Sequence, residues 1–128
     1  MQTYGFDRST GRPLTEFGSS GVTITPILRD AGPLAFVAYI RLEPQGVIGI
    51  HKSVDHQLLI VVSGNGLATG ENDELVEISE GTAIYIQPGE LHETRAGENG
   101  LAAIVLEGER LIPGNIMKRI NVKGQDES

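Results

Sequence analysis

The chain has 128 residues, with 17 Asp and Glu against 10 Lys and Arg, a formal charge of -7 and no cysteine. That length fits one domain with a sizeable core but not two. The acidic balance excludes the basic stripe that nucleic-acid backbones require, and the lack of cysteine excludes disulfides, zinc–thiolate sites and thiol nucleophiles.

The first residues, 1–7, lack the charged-then-apolar pattern of a secretion signal. The longest apolar runs, 58–62 and 101–106, are far too short to span a bilayer. A cytoplasmic protein without membrane or nucleic-acid partners is the expectation. The 17 glycines fall between short apolar runs, the mark of many strands joined by tight turns. Val22 and Ile24 alternate with Thr23 and Thr25, which suits a half-buried strand. Residues 34–42 form a second strand, entered through 30–33 and left through 43–46. Residues 57–62 are apolar on both faces, as a central strand should be. Gly64-Asn65-Gly66 reads as a hairpin with Asn65-Gly66 at its corner rather than as a dinucleotide loop, because a strand and not a helix follows. Residues 71–74 read as a solvated acidic turn, with too few ligands at fixed spacing for calcium. Val76 and Ile78 alternate with Glu77 and Ser79, and a turn at Ser79–Gly81 leads into a strand at 83–86. Residues 96–100 then lead to a last strand at 101–106. The single helical candidate is 116–120, after Pro113-Gly114, and residues 122–128 read as a frayed polar end. Many short antiparallel strands at regular spacing imply an all-β sandwich or barrel.

Two segments carry the chemistry. The first holds His51, Ser53, His56, Gln57 and Gly64; the second holds Gly81, Pro88, Gly89 and His92. Residues two apart in an extended chain share a face, so Gln57, Leu59 and Val61 point one way. If that way is inward, the Gln57 amide needs a partner, which a metal, a bound ligand or His92 could supply. His56 has the opposite parity and is the weaker candidate, read first as a loop or surface histidine. Glu90 and Glu93, beside His92, read as surface charge, and Tyr39 and Tyr85 as core or rim residues.

This pair of segments resembles the two motifs of the cupin family, small antiparallel jelly-roll barrels with a metal or ligand site inside. His51 and Gly64 stand at their places in the first motif, while Ser53 stands where the family has a second histidine and Gln57 where it has a glutamate. Gly81, Gly89 and His92 match the second motif, with Pro88 one place late and Ala96 where an asparagine often closes the pattern. The resemblance implies one cupin domain over residues 1–128, with a motif-bearing core at about 34–107 and flanking arms at 1–20 and 111–128. It also implies a site of His51, Gln57 and His92. This set would hold one divalent metal ion (Zn, Fe, Ni, Mn or Cu) less tightly than the family's three histidines and glutamate. Equally, it would form a satisfied polar network or line an organic-ligand pocket without metal. The expected function is a small-molecule-binding cupin. The alternative is a metal-dependent cupin enzyme, a dioxygenase, isomerase or epimerase, acting on a small polar or anionic substrate. A homodimer is expected, with residues 4–17 or 111–120 adding strands at sheet edges.

Overall fold

The computed structural model describes residues 2, 4, 8–28, 34–114, 119–120 and 126–127. Its strands are Arg12–Pro13 (β1), Ser20–Leu28 (β2), Leu34–Lys52 (β3), His56–Thr69 (β4), Leu75–Ser79 (β5), Ala83–Ile86 (β6), Leu91–Gly108 (β7), Arg119–Ile120 (β8) and Asp126–Glu127 (β9). The first seven form one antiparallel sheet in the order β1-β2-β3-β7-β4-β5, with β6 also paired to β4; β8 and β9 pair separately. Short 3-10 turns at Arg8–Thr10, Glu16–Gly18 and Glu71–Asp73 are the only helical elements among the described residues. The architecture is the antiparallel jelly roll.

Three strands are far longer than their sequence signals, because each bends through a corner instead of ending. β3 continues through 43–46, where the sequence reading placed a strand exit; its pairing with β7 jumps there from Leu42↔Leu101 to Val47↔Arg95. β7 likewise runs through 96–100, the segment read as a lead-in loop. The hairpin expected at Asn65-Gly66 is also a corner. β4 continues to Thr69 and pairs Asn65 with Ser79 of β5, so the reversal lies at residues 70–74. Extra residues in one strand of a pair produce such bends without breaking the ladder. The acidic segment 71–74 is the exposed turn expected of it. Of the helical candidate, residues 116–118 lie outside the described residues, and Arg119–Ile120 is strand. Residues 121–125 and 128 of the tail lie outside as well, while Asp126–Glu127 pairs with β8.

The core follows from alternation. Val22 and Ile24 of β2, Ala38 and Ile40 of β3, Leu59 and Val61 of β4 are buried together. On β7 the buried set Leu101, Ala103 and Val105 continues in the same parity to Glu107. Ala38 and Ala103 are fully buried; each lies opposite a larger partner, Val105 and Ile40. The Arg12–Pro13 strand pairs with β2 of the same chain, so part of the arm that the sequence offered to a second copy is used internally.

Candidate functional site at the open end of the barrel

The corners bring the free ends of β3, β4 and β7 to one end of the barrel, and the polar side chains sit there. His51 lies near the end of β3, Gln57 near the start of β4, His92 near the start of β7 and Glu107 near its end. A bulge sets His51. Between the pairs Ile48↔Thr94 and His51↔His92, β3 uses one residue more than β7, so Ile48 and His51 share the inward face while Ile50 turns out to solvent.

His51 and His92 are cross-strand partners with ring centroids 4.3 Å apart and planes tilted by 55°. Each has its Nδ1 against a backbone carbonyl: Gly49 O at 2.8 Å for His51 and Glu90 O at 3.1 Å for His92. A carbonyl can only accept, so Nδ1 carries the hydrogen in both rings and, in the uncharged form, the lone pair falls on Nε2. Burial holds the His92 pKa below its ordinary value of 6.5, aided by nearby His51 and opposed by the Glu90 carbonyl and carboxylate. His92 is therefore uncharged at neutral pH. Its contribution to stability is complete above about pH 6.5 and is lost as pH falls through its lowered folded value.

Gln57 does face inward, opposite Ile86 on β6 and Glu107 on β7. Its amide nitrogen donates to Glu107 Oε1 at 3.1 Å, so its partner is a carboxylate and not His92. Burial pushes the Glu107 pKa up, the Asp55 carboxylate pushes it further, and His51 pulls it down. Glu107 thus belongs electrostatically to the same group as His51. The sequence reading missed it, although inward parity with Leu101, Ala103 and Val105 was a usable signal. An acid whose folded pKa is raised stabilises below its unfolded pKa and loses that contribution as pH rises through the folded value. Glu107→Gln is accordingly expected to be more stable than the natural chain at pH 7. That gain should disappear below about pH 4.5, and chemical denaturation at the two pH values reads it.

Two further side chains of the first motif segment have other partners. Ser53 is buried; its N–H donates to Glu90 O at 3.2 Å, its carbonyl accepts from Gly89 N–H at 2.6 Å and its hydroxyl donates to the Asp55 carbonyl. It staples the first motif to the second. His56 has its Nδ1 against the Tyr85 hydroxyl, on the face opposite Gln57 and away from the other histidines. Above the site, the Phe17 ring stacks on His51 at 4.2 Å with planes 9° apart. Phe17 has φ of 65°, rare for a bulky residue, and is 52% exposed. Its carbonyl occupies the place where a side chain on Gly49 would lie, and Ser19 Oγ accepts the Gly49 N–H at 3.2 Å. No sequence signal pointed to Phe17.

A cavity of about 60 Å³ opens beside His92, lined on its apolar side by Leu59, Val76 and Ile84 and on its polar side by Glu74, Glu90 and Thr94. A larger open trough of about 380 Å³, bordered by Glu71, Gln87 and Glu90, lies on the rim and contains neither histidine. The rim carboxylates are partly engaged there: Glu71 accepts from Leu91 N–H at 3.1 Å and Glu90 from Gln87 N–H at 3.0 Å. Among the described residues, no three His, Asp, Glu or Cys side chains gather closely enough to hold a metal ion. At the motif positions, the donors suited to a metal ion are the two imidazole Nε2 atoms and the Gln57 carbonyl oxygen, a neutral set.

No curated protein matches the chain in sequence. Among solved structures, it is similar to a cupin-like protein from Thermotoga maritima at 21% identity and TM-score 0.71, covering 81% of this chain and 80% of that one. It is also similar to a predicted oxalate decarboxylase from the same organism at 20% identity and TM-score 0.71, over 82% of this chain and 98% of the other. The polyketide cyclase RemF from Streptomyces resistomycificus shares 17% identity at TM-score 0.71, over 94% and 89%. Identities this low establish the fold alone. Residues 38–109 match the cupin domain family, and with more than half of its length inside that match the chain belongs to the cupin family.

Proposed function

We propose that this chain is a small-molecule-binding cupin whose ligand contacts His51, Gln57 and His92 at the open end of the barrel. The observation that carries the reading is the pair of fixed tautomers: two backbone carbonyls hold both Nδ1 hydrogens, so both Nε2 lone pairs are presented, with no hydrogen bond to either among the described residues. The adjoining cavity of about 60 Å³ admits only a small group. Structural neighbours described as a predicted oxalate decarboxylase and a polyketide cyclase support a small-molecule role. The test is a small-molecule panel followed by NMR on metal-free protein. A ligand should shift the ring signals of both His51 and His92, and His51→Ala or His92→Gln should weaken its binding by about tenfold or more. Turnover of panel compounds by metal-loaded protein but not by metal-free protein would sink this reading.

The same free Nε2 atoms favour a second reading, a metal-dependent cupin enzyme of the dioxygenase, isomerase or epimerase kind. His51, His92 and the Gln57 carbonyl would hold one divalent ion, which would supply Lewis acidity there. Elemental analysis of protein purified without chelator, followed by metal titration, decides it: no ion retained and none bound removes the idea.

A further inference from the structure

The polar atoms left over at the open end of the barrel are hydrogen-bond acceptors almost without exception. The Nδ1 hydrogens of His51 and His92 are directed at Gly49 and Glu90, which leaves the Nε2 lone pairs. Gln57 gives an N–H to Glu107 and keeps its carbonyl oxygen. Glu107 adds a carboxylate from β7, directly across from Gln57, with Asp55 near enough to act on it electrostatically. The one donor hydrogen remaining in this group is the second on the Gln57 amide. The basic side chains nearest in sequence, Lys52 and Arg110, are exposed, and Lys52 follows inward-facing His51 and so turns away from it.

An anion placed here would meet two lone pairs, an amide oxygen and carboxylate charge, with one neutral donor in return. A donor-bearing cation would meet acceptors instead. Phe17 marks the same end of the barrel as a binding place. Its ring lies flat on His51, its φ of 65° is strained for a bulky side chain, and it is half exposed. Neither strain nor exposure stabilises the fold, and strain of this kind collects at ligand clamps. Glu107 is half-buried, and burial disfavours its charged form. The overall charge of -7 further raises the local concentration of cations.

We infer that the site selects a small organic ammonium group, with Glu107 as its charged contact, the Gln57 carbonyl as a second acceptor, and the His51 and His92 rings as walls beside it. The inference rests on the binding reading above and narrows it to one charge class, leaving aside the anionic half of the polar or anionic substrates that the sequence suggested for the enzyme alternative.

Three probes of equal chain length separate the possibilities: n-butylammonium, 1-butanol and butyrate, titrated into metal-free protein while the His51 and His92 ring signals are followed by NMR. Butylammonium is expected to shift both histidines, and butyrate to shift neither. Glu107→Gln should weaken butylammonium binding by about tenfold or more, and Glu107→Asp should retain part of it. Denaturation curves of both variants confirm that they fold. Equal effects of butanol and butylammonium, stronger binding of butyrate, or an unchanged affinity in Glu107→Gln would overturn the ammonium assignment while leaving a binding site in place. Silence of both histidines toward all three probes would overturn the binding reading and the assignment with it.

Discussion

Replacing Gly64 with alanine is expected to prevent the barrel from folding stably, with a loss of at least about 3 kcal/mol. Gly64 has φ of 81°, where a side chain is strained in any surroundings. An added Cβ would also fall on the Gly100 carbonyl, with the Gly100 carbonyl carbon at 2.8 Å and Leu101 Cα at 3.0 Å. Every atom it meets is backbone, so no rotamer change relieves the clash. The place matters as much as the contact. β3 at Leu42, β4 at Gly64 and β7 at Gly100 all bend here, and Leu101 is paired to both neighbours. A loss of this size is a large share of the roughly 5–15 kcal/mol that holds a domain together. Urea denaturation followed by circular dichroism reads it, and a variant within about 1 kcal/mol of the natural chain would contradict the corner geometry. Gly49→Ala supplies the contrast. Its Cβ also meets backbone, that of Phe17, but Phe17 belongs to a surface segment that can lift away while the barrel stays closed.

Gln57→Glu is the second large effect, and it depends on pH. The family has a glutamate at this position; here a second carboxylate would face Glu107 across the contact that is 3.1 Å long in the natural chain. Two carboxylates so placed titrate as a coupled pair, and one of them keeps its proton to well above the usual carboxylate range. The folded-state pKa is then above the unfolded one. The cost is absent below about pH 4.5 and develops as pH rises toward the folded value. After allowance for solvent at this half-buried position, the variant should lose about 1–2 kcal/mol at pH 8 relative to the natural chain. Denaturation midpoints between pH 4.5 and 8 measure it, and a pH-independent difference would count against the pairing. The exchanged double variant, Gln57→Glu with Glu107→Gln, should recover most of the loss, since it restores one acid opposite one amide.

That exchange also shows which parts of the site could be read from the sequence. Gly81, Gly89, His92, His51 and Gly64 carry the fold because each answers a local demand, a turn, a corner or an inward ring, at a spacing few other folds reproduce. Alternation around Gln57 was legible too, since Leu59 and Val61 share its face and are buried. What escaped were features created by pairing between distant segments. Gln57 and Glu107 are fifty positions apart, and only the β4–β7 register makes them neighbours. The corners at 43–46, 64–66 and 96–100 use Gly, Pro and Asn as turns do, so a bend within a strand and the end of a strand look alike in sequence. Phe17 reaches His51 only because β1 and β2 fold the amino-terminal arm back over β3.

The position of Phe17 bears on where this protein can be cut. The family match starts at residue 38, so a fragment trimmed to 38–109 would keep both histidines, Gln57 and Glu107. It would lack β2, baring one whole edge of β3, and it would lack the ring that lies against His51. Such a fragment would present the right donor atoms in a vestibule with one wall removed. The smallest piece worth assaying is therefore longer than the piece by which the family is recognised, and its boundary belongs before Arg12.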